Sequence, residues 1–184
     1  MGEVRFDIEY TERRNRLTSA FRMILAIPHL FVVTALGYAV QAVTVVQWFA
    51  ILFTGRRIDG LWRFANGFVS WQARANTYAG LMYDTYPNFG FEAGAEPVRY
   101  GLEQPREADR LTNGLRFLWA IPALVISAVL AIAAVAVTLV SWFAIVITGR
   151  HPRGMFDFML KAHRYTTRTS AYVYLLTDTY PSYG

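Results

Sequence analysis

The strings best suited to hold a ligand are Thr54-Gly55-Arg56-Arg57 and Thr148-Gly149-Arg150, the second followed by Arg153. Each closes a long apolar run. A backbone amide at glycine beside guanidinium groups at a bilayer surface suits an anionic lipid headgroup, which makes Gly55, Arg56, Arg57, Gly149, Arg150 and Arg153 the candidate headgroup residues. The same strings also read as helix ends, with glycine as the C-cap and arginine reaching back to the interface. Neither has the lysine or the spacing of a nucleotide-phosphate loop. Arg22 and Arg116 stand inside the apolar runs, where an ionisable residue suggests function. They either reach out to the interface, pair with Asp84 and Asp178 of the returning segment, or serve transport. The histidines, His29, His151 and His163, have no metal-ligand spacing, and the chain has no cysteine. With no paired carboxylates or Ser/His arrangement either, no catalytic residue, metal or other cofactor is expected.

These residues sit in an unusual background. Of 184 residues 54% are hydrophobic and only 17% charged, which points to a membrane rather than to a soluble globule. The net charge of +5 comes almost wholly from arginines that flank apolar runs, a pattern for membrane orientation rather than for nucleic acid. The opening MGEVRFDIEYTERRNR mixes both signs of charge and does not resemble a secretory signal, so the apolar segments are expected to stay in the mature protein.

The chain repeats itself. Trp48-Phe49-Ala50-Ile51 recurs as Trp142-Phe143-Ala144-Ile145, an offset of 142 − 48 = 94 residues that holds without a gap. Arg16-Leu17-Thr18 matches Arg110-Leu111-Thr112, Ala26-Ile27-Pro28 matches Ala120-Ile121-Pro122, and Asp84-Thr85-Tyr86-Pro87 matches Asp178-Thr179-Tyr180-Pro181. Residues 1–90 form the first unit, 95–184 the second, and Phe91 to Pro97 the linker. The two heads, VRFDIE and VRYGLE, alternate as short strands that could pair.

No charged residue lies between Arg22 and Arg56 or between Arg116 and Arg150. A continuous helix over 17–53 would be about 55 Å long, against a hydrocarbon core of roughly 30 Å. Both flanks of each run are basic: Arg13, Arg14, Arg16 and Arg22 before the first and Arg56, Arg57 and Arg63 after it; Arg106, Arg110 and Arg116, then Arg150, Arg153 and Lys161, around the second. Length and charge together predict that each run, 17–53 and 111–147, is a hairpin of two crossings turning near Gly37 and near Ala131 to Ala134. Amphipathic helices are expected over 60–83 and 154–177, with polar stripes Arg63, Asn66, Ser70, Arg74 and Asp157, Lys161, Arg164, Arg168. They would lie in the headgroup layer or pack on one another. Trp62, Phe64, Phe68 and Trp71 are the candidate contacts for a protein partner. His29, Gln41 and Gln47 have no polar counterparts except Ser141, which argues against a symmetric pore and leaves His29 as a hydrogen-bonding group between helices. The fold class is thus an all-α integral membrane protein of two tandem repeats, each a short N-terminal strand, a transmembrane hairpin and an amphipathic interfacial helix.

Ala26-Ile27-Pro28-His29, Trp48 to Arg56 with Gly60, and Asp84-Thr85-Tyr86-Pro87, with their counterparts in the second unit, carry a resemblance. The chain resembles an uncharacterised, largely actinobacterial family of small membrane proteins, a domain of unknown function, here in two copies. Ala123 replaces the family's histidine in the second unit, and Ile58 replaces its proline in the first. The resemblance implies membrane topology and supplies no catalytic residues. The function expected is that of a non-enzymatic scaffold or accessory subunit of a bacterial inner-membrane complex, multi-pass with its soluble segments cytoplasmic. Its expected partners are anionic lipid and a membrane protein, not nucleic acid. A channel or transporter component and a membrane-embedded enzyme are the alternatives.

Overall fold

In the computed structural model, which describes residues 2–105 and 107–182, the elements run β1 (Arg5–Ile8), α1 (Arg16–Thr54), α2 (Asp59–Ala79), β2 (Val98–Gly101), α3 (Arg110–Thr148) and α4 (Arg153–Val173). The flanking Arg106 lies outside the described residues. The two strands do pair, antiparallel, with Arg5 opposite Gly101 and Ile8 opposite Val98.

The expected hairpins are absent. Each apolar run is one unbroken helix of 39 residues, about 58 Å long, and the chain does not turn at Gly37 or at Ala131 to Ala134. Strong local signals fix both ends. Asn15 and Asp109 accept the amides of the second and third helical residues, and Gly55 and Gly149 close the helices in the left-handed conformation at φ 71° and 74°. Between those caps many residues are β-branched or aromatic, so packing and environment rather than propensity hold the helices, and Pro28 and Pro122 are accommodated inside them.

The two long helices lie antiparallel, tied at both ends. Trp48 Nε1 donates to the Asn113 carbonyl at 2.8 Å while Asn113 Nδ2 donates to the Trp48 carbonyl at 3.0 Å; at the far end Trp142 Nε1 reaches the Ala20 carbonyl. α2 folds back along α1 and α4 along α3, and the small sheet touches only α2 and α4. Three layers result: the long pair, the amphipathic pair, and the sheet with its loops. α2 begins beside Gln47, whose Oε1 accepts the Ile58 amide, and the segment after it ends beside Arg22.

This layering explains the long helices. In α1 the buried residues are Ser19, Arg22, Ala26, His29, Val33, Val40, Thr44, Gln47 and Ile51, spaced by threes, fours and one seven, so one face packs on α2 and α3. The opposite face, including Leu17, Phe21, Ile24, Phe31, Tyr38, Val45, Phe49 and Phe53, is exposed. Packing against the neighbouring helices sets the buried stripe.

Spin labels at Leu17→Cys and Phe53→Cys, introduced into the cysteine-free chain, should lie about 54 Å apart along a continuous helix by double electron–electron resonance. A separation below about 20 Å would restore the hairpin.

Candidate functional site

The polar residues collect where the segment after each amphipathic helix meets a long helix. After α2 the chain turns through Leu81 and after α4 through Leu175, both at φ 63°, a left-handed conformation rare for leucine. The two leucines are the same position of the repeat. Each turn aims the next carbonyls at an arginine. Arg22 donates to the Tyr83 carbonyl and to Asp84, and lies 4.9 Å from the centre of the Tyr78 ring. Arg116 donates to the carbonyls of Tyr172 and Thr177 and to Asp178, with its guanidinium 4.2 Å from the Tyr172 ring centre. Of the roles open to Arg22 and Arg116, pairing with the returning aspartates is the one realised.

A second arginine joins each cluster, from a different place in each unit. Arg57 donates to Leu175 O at 2.8 Å, Glu107 O at 2.7 Å and Asp178 at 2.7 Å. Its counterpart is His151, and near Asp84 the second cation is instead Arg14, which donates to Met82 O at 2.6 Å. His151 is fully buried, and neither ring nitrogen has a hydrogen-bond partner among the described residues. Burial, and then the positive charge of Arg14 and Arg22, hold its pKa down to about 4.

The candidate headgroup residues therefore divide. Gly55 and Gly149 are helix caps, as one reading of the sequence had it. Their amides bond Ile51 O and Ile145 O, and their carbonyls accept from Ala108 N and Arg14 N of the other repeat. Arg57 is buried and spent on internal partners, so it is withdrawn as a headgroup ligand. Arg56 is exposed; Arg150 and Arg153 are 66% and 71% exposed, with Glu12 at 3.7 Å and Asp157 at 3.8 Å. These three remain at the surface with Arg16 and Arg110, whose side chains lie over Gly149 and Gly55. A cation over a helix C-terminus is favoured by the helix dipole.

The aromatic residues named as partner contacts are turned inward. Trp62 donates to the Leu176 carbonyl at 3.0 Å, Trp71 to His29 Nδ1 at 3.0 Å, and Phe68 is 1% exposed in the core. Phe64 is half-buried against Phe91. These residues pack the chain itself and do not form a docking surface. His29, stacked on Phe89, accepts a hydrogen bond between helices as its position suggested. The polar stripe of α2 is also partly covered: Arg74 is buried against Glu96 at 2.7 Å and holds the Gly90 carbonyl, and Asn66 accepts from the Tyr100 hydroxyl. In α4, Arg164 is held by Asp7 and the Phe6 carbonyl of β1.

Removing one member of a buried ion cluster strands the others. Asp178→Asn leaves Arg57 and Arg116 without their shared carboxylate and should cost about 3–5 kcal/mol in denaturant unfolding; a change under about 0.5 kcal/mol would show that the carbonyls alone suffice. The depressed pKa of His151 means that the unfolded chain binds a proton, from pH 6.5 downward, that the folded chain refuses until about 4. Stability should therefore fall across that window as pH is lowered, and His151→Gln should make this part of the profile shallower, the remaining slope coming from His163, whose pKa burial lowers likewise to about 4.

The repeat seen in both chain and fold is matched by a family model described as a domain of unknown function, DUF4389, over residues 16–91 and again over 110–183. No curated protein and no solved structure matches the chain. Two matched copies cover most of its length, and the chain belongs to the DUF4389 family.

Proposed function

We propose that this protein is a non-enzymatic membrane-bound platform, a scaffold or accessory subunit, whose two long helices lie in the plane of the bilayer surface rather than across it. The observation that carries the reading is the outer face of α1 and α3. It is apolar and exposed along its whole length, through Leu111, Leu118, Val125, Val129, Ile132, Leu139, Phe143 and Ile147 in α3 as through the matching residues in α1. From Met23 to Gly55 and from Phe117 to Gly149 no charged residue interrupts it. Such a face is far larger than the apolar patches of ordinary soluble surfaces.

Each long helix is long and apolar enough to cross a membrane. What argues against crossing is the second layer. α2 and α4 run beside the middle of α1 and α3, and they expose Arg63, Asp157 and Lys161. A crossing orientation would bring those charges to hydrocarbon depth, at about 2.5–3.5 kcal/mol or more for each. Lying flat puts the apolar face in the acyl region and leaves the charged layers in water. It also explains why both ends of both runs are basic. Antiparallel packing gathers Arg13, Arg16, Arg150 and Arg153 at one end and Arg56 and Arg110 at the other, all exposed, where they suit anionic headgroups of the cytoplasmic leaflet.

Two measurements test the reading. Single cysteines at Arg13 and Asp59, at opposite ends of α1, should label from the same side of sealed vesicles, and labelling from opposite sides would mean that α1 crosses. Arg56→Gln combined with Arg150→Gln and Arg153→Gln should weaken flotation with phosphatidylglycerol vesicles by roughly tenfold or more, since each basic residue near such a surface contributes about 1 kcal/mol. Unchanged flotation of that variant would leave the basic ends without a lipid role.

A further inference from the structure

The duplication is filled on one side of its pseudo-twofold axis and open on the other. Val33, Phe68, Val69 and Tyr174 pack together in one core cluster, with the Phe68 and Tyr174 rings edge to face at 5.7 Å. At the offset of 94 residues their counterparts are Ser127, Ala162, His163 and Gly80. Two large rings are replaced by alanine and glycine, and two valines by serine and histidine. At this second position the four helices border an open-sided cavity of about 860 Å³, in whose wall Leu130 and Ala162 pack with Tyr165. Its size falls within the range of roughly 300–1,000 Å³ usual for small-molecule sites.

The lining has two characters. α1 and α3 contribute aliphatic groups such as Leu30, Leu130 and Ala134, while α2 and α4 contribute Gln72, Asn76, His163, Thr166 and Ser170. Among the described residues no Asp, Glu, Lys or Arg lines it. His163 Nε2 and Ser127 Oγ are buried there without a hydrogen-bond partner among the described residues. A buried polar atom left unpaired costs about 1–3 kcal/mol, which a ligand hydroxyl would recover. Desolvation lowers the His163 pKa to about 4, so the imidazole is neutral at pH 7 and offers hydrogen bonds without charge. The cavity also reaches the apolar face: Met23, Leu124, Val135 and Leu139 line it and are 48%, 47%, 71% and 52% exposed.

We propose that this cavity binds an uncharged, single-chain lipid with a hydroxyl head, of the long-chain alcohol or monoacylglycerol class, with its hydroxyl on His163 and its chain leading toward the bilayer. The entry route rests on the in-plane reading above; the site itself rests on the asymmetry of the repeat. An anionic headgroup is disfavoured because no cation faces the cavity, and a plain alkane would leave His163 and Ser127 unpaired.

The test uses the full chain in detergent micelles, with hexadecanol carrying a diazirine in its chain as the photoaffinity probe. The wild type should be labelled on α3 or α4, and unlabelled hexadecanol should compete at least tenfold better than palmitate or hexadecane. Ala162→Phe and His163→Val import residues that the first unit already holds in a packed core; the first should abolish labelling and the second reduce it about tenfold or more. Near-UV circular dichroism confirms folding, and Ser127→Ala, a smaller change, should lower labelling if Ala162→Phe fails to fold. Equal labelling of wild type and His163→Val, or equal competition by hexadecane or palmitate, overturns the proposal. Vesicle flotation separates the two readings. Micelle labelling without flotation would sink the in-plane reading and keep the site, whereas flotation without specific labelling would sink the site alone.

Discussion

A guanidinium buried in an apolar helix has to be matched, and the rest of this fold follows from how that requirement is met. Arg22 and Arg116 are almost wholly buried, each with a carboxylate and an aromatic ring, Arg22 with one backbone carbonyl and Arg116 with two. Stripped of those partners a buried charge is strongly destabilising, so the segment that supplies them cannot detach cheaply. That segment follows the amphipathic helix. Fixing Tyr83 and Asp84 onto α1 therefore lays α2 along it, and fixing Thr177 and Asp178 onto α3 does the same for α4. The left-handed leucines at positions 81 and 175 fit this account, because a backbone conformation costing about 1–3 kcal/mol persists only where its surroundings over-determine it. Their side chains are fully buried, and the turn presents the carbonyls that the arginines need.

Much of this was legible in the residues. The repeat, the pairing of the two strands and the capping glycines follow from spacing and local chemistry, whereas the Arg22–Asp84 and Arg116–Asp178 pairs are one of three roles the sequence leaves open. The hairpins do not form, because nothing between the caps at Asn15 and Gly55, or Asp109 and Gly149, interrupts the helix, and apolar length by itself does not demand a turn. Length instead serves two neighbours at once: one face of each long helix packs on protein and the other is apolar and exposed. The contrast along each helix is the reverse of a soluble one: Ser19, Arg22, His29, Thr44 and Gln47 face protein while the large apolar side chains face outward, so apolarity does not mark the inside. The same limit separated Arg56 from Arg57. They are neighbours of one type, and which turns inward is decided by Asp178, 121 residues away. Trp62 and Trp71 looked like docking surface for the same reason: their hydrogen-bond acceptors, Leu176 O and His29 Nδ1, are brought to them only by the fold.

Neither repeat is complete without the other. Gly55, the cap of α1, lies beneath Arg110 of the second unit, and Gly149 lies beneath Arg16 of the first; a Cβ at either would come within 3.0 Å and 2.9 Å of the guanidinium Nε. Each cap carbonyl accepts an amide from the opposite repeat, and Asp178 of the second unit is shared between Arg116 and Arg57. Reciprocal contacts of this kind are what a twofold pair of identical subunits would make, and the tandem chain keeps them within one molecule. One molecule, however, need not keep its halves identical.

Freed from that identity, the two halves solve the same electrostatic problem differently. Near Asp178 the second cation comes from behind the long helix, as Arg57; near Asp84 it comes from ahead of it, as Arg14, while Ala108 and His151 fill the vacated positions. Carrying arginine at both positions of both clusters would have added cations beside a single carboxylate, and like charges at short range are costly where water is excluded. His151 keeps the volume without the charge, which is the meaning of its depressed pKa. The same freedom acts on the packing between the helices. A symmetric pair could have filled both central positions or opened both; the tandem chain fills one with Phe68 and Tyr174 and leaves the other to Ala162 and Gly80. The filled side contributes the packing that holds four helices together, so the open side can carry polar groups and empty volume that a symmetric fold would have had to accept twice.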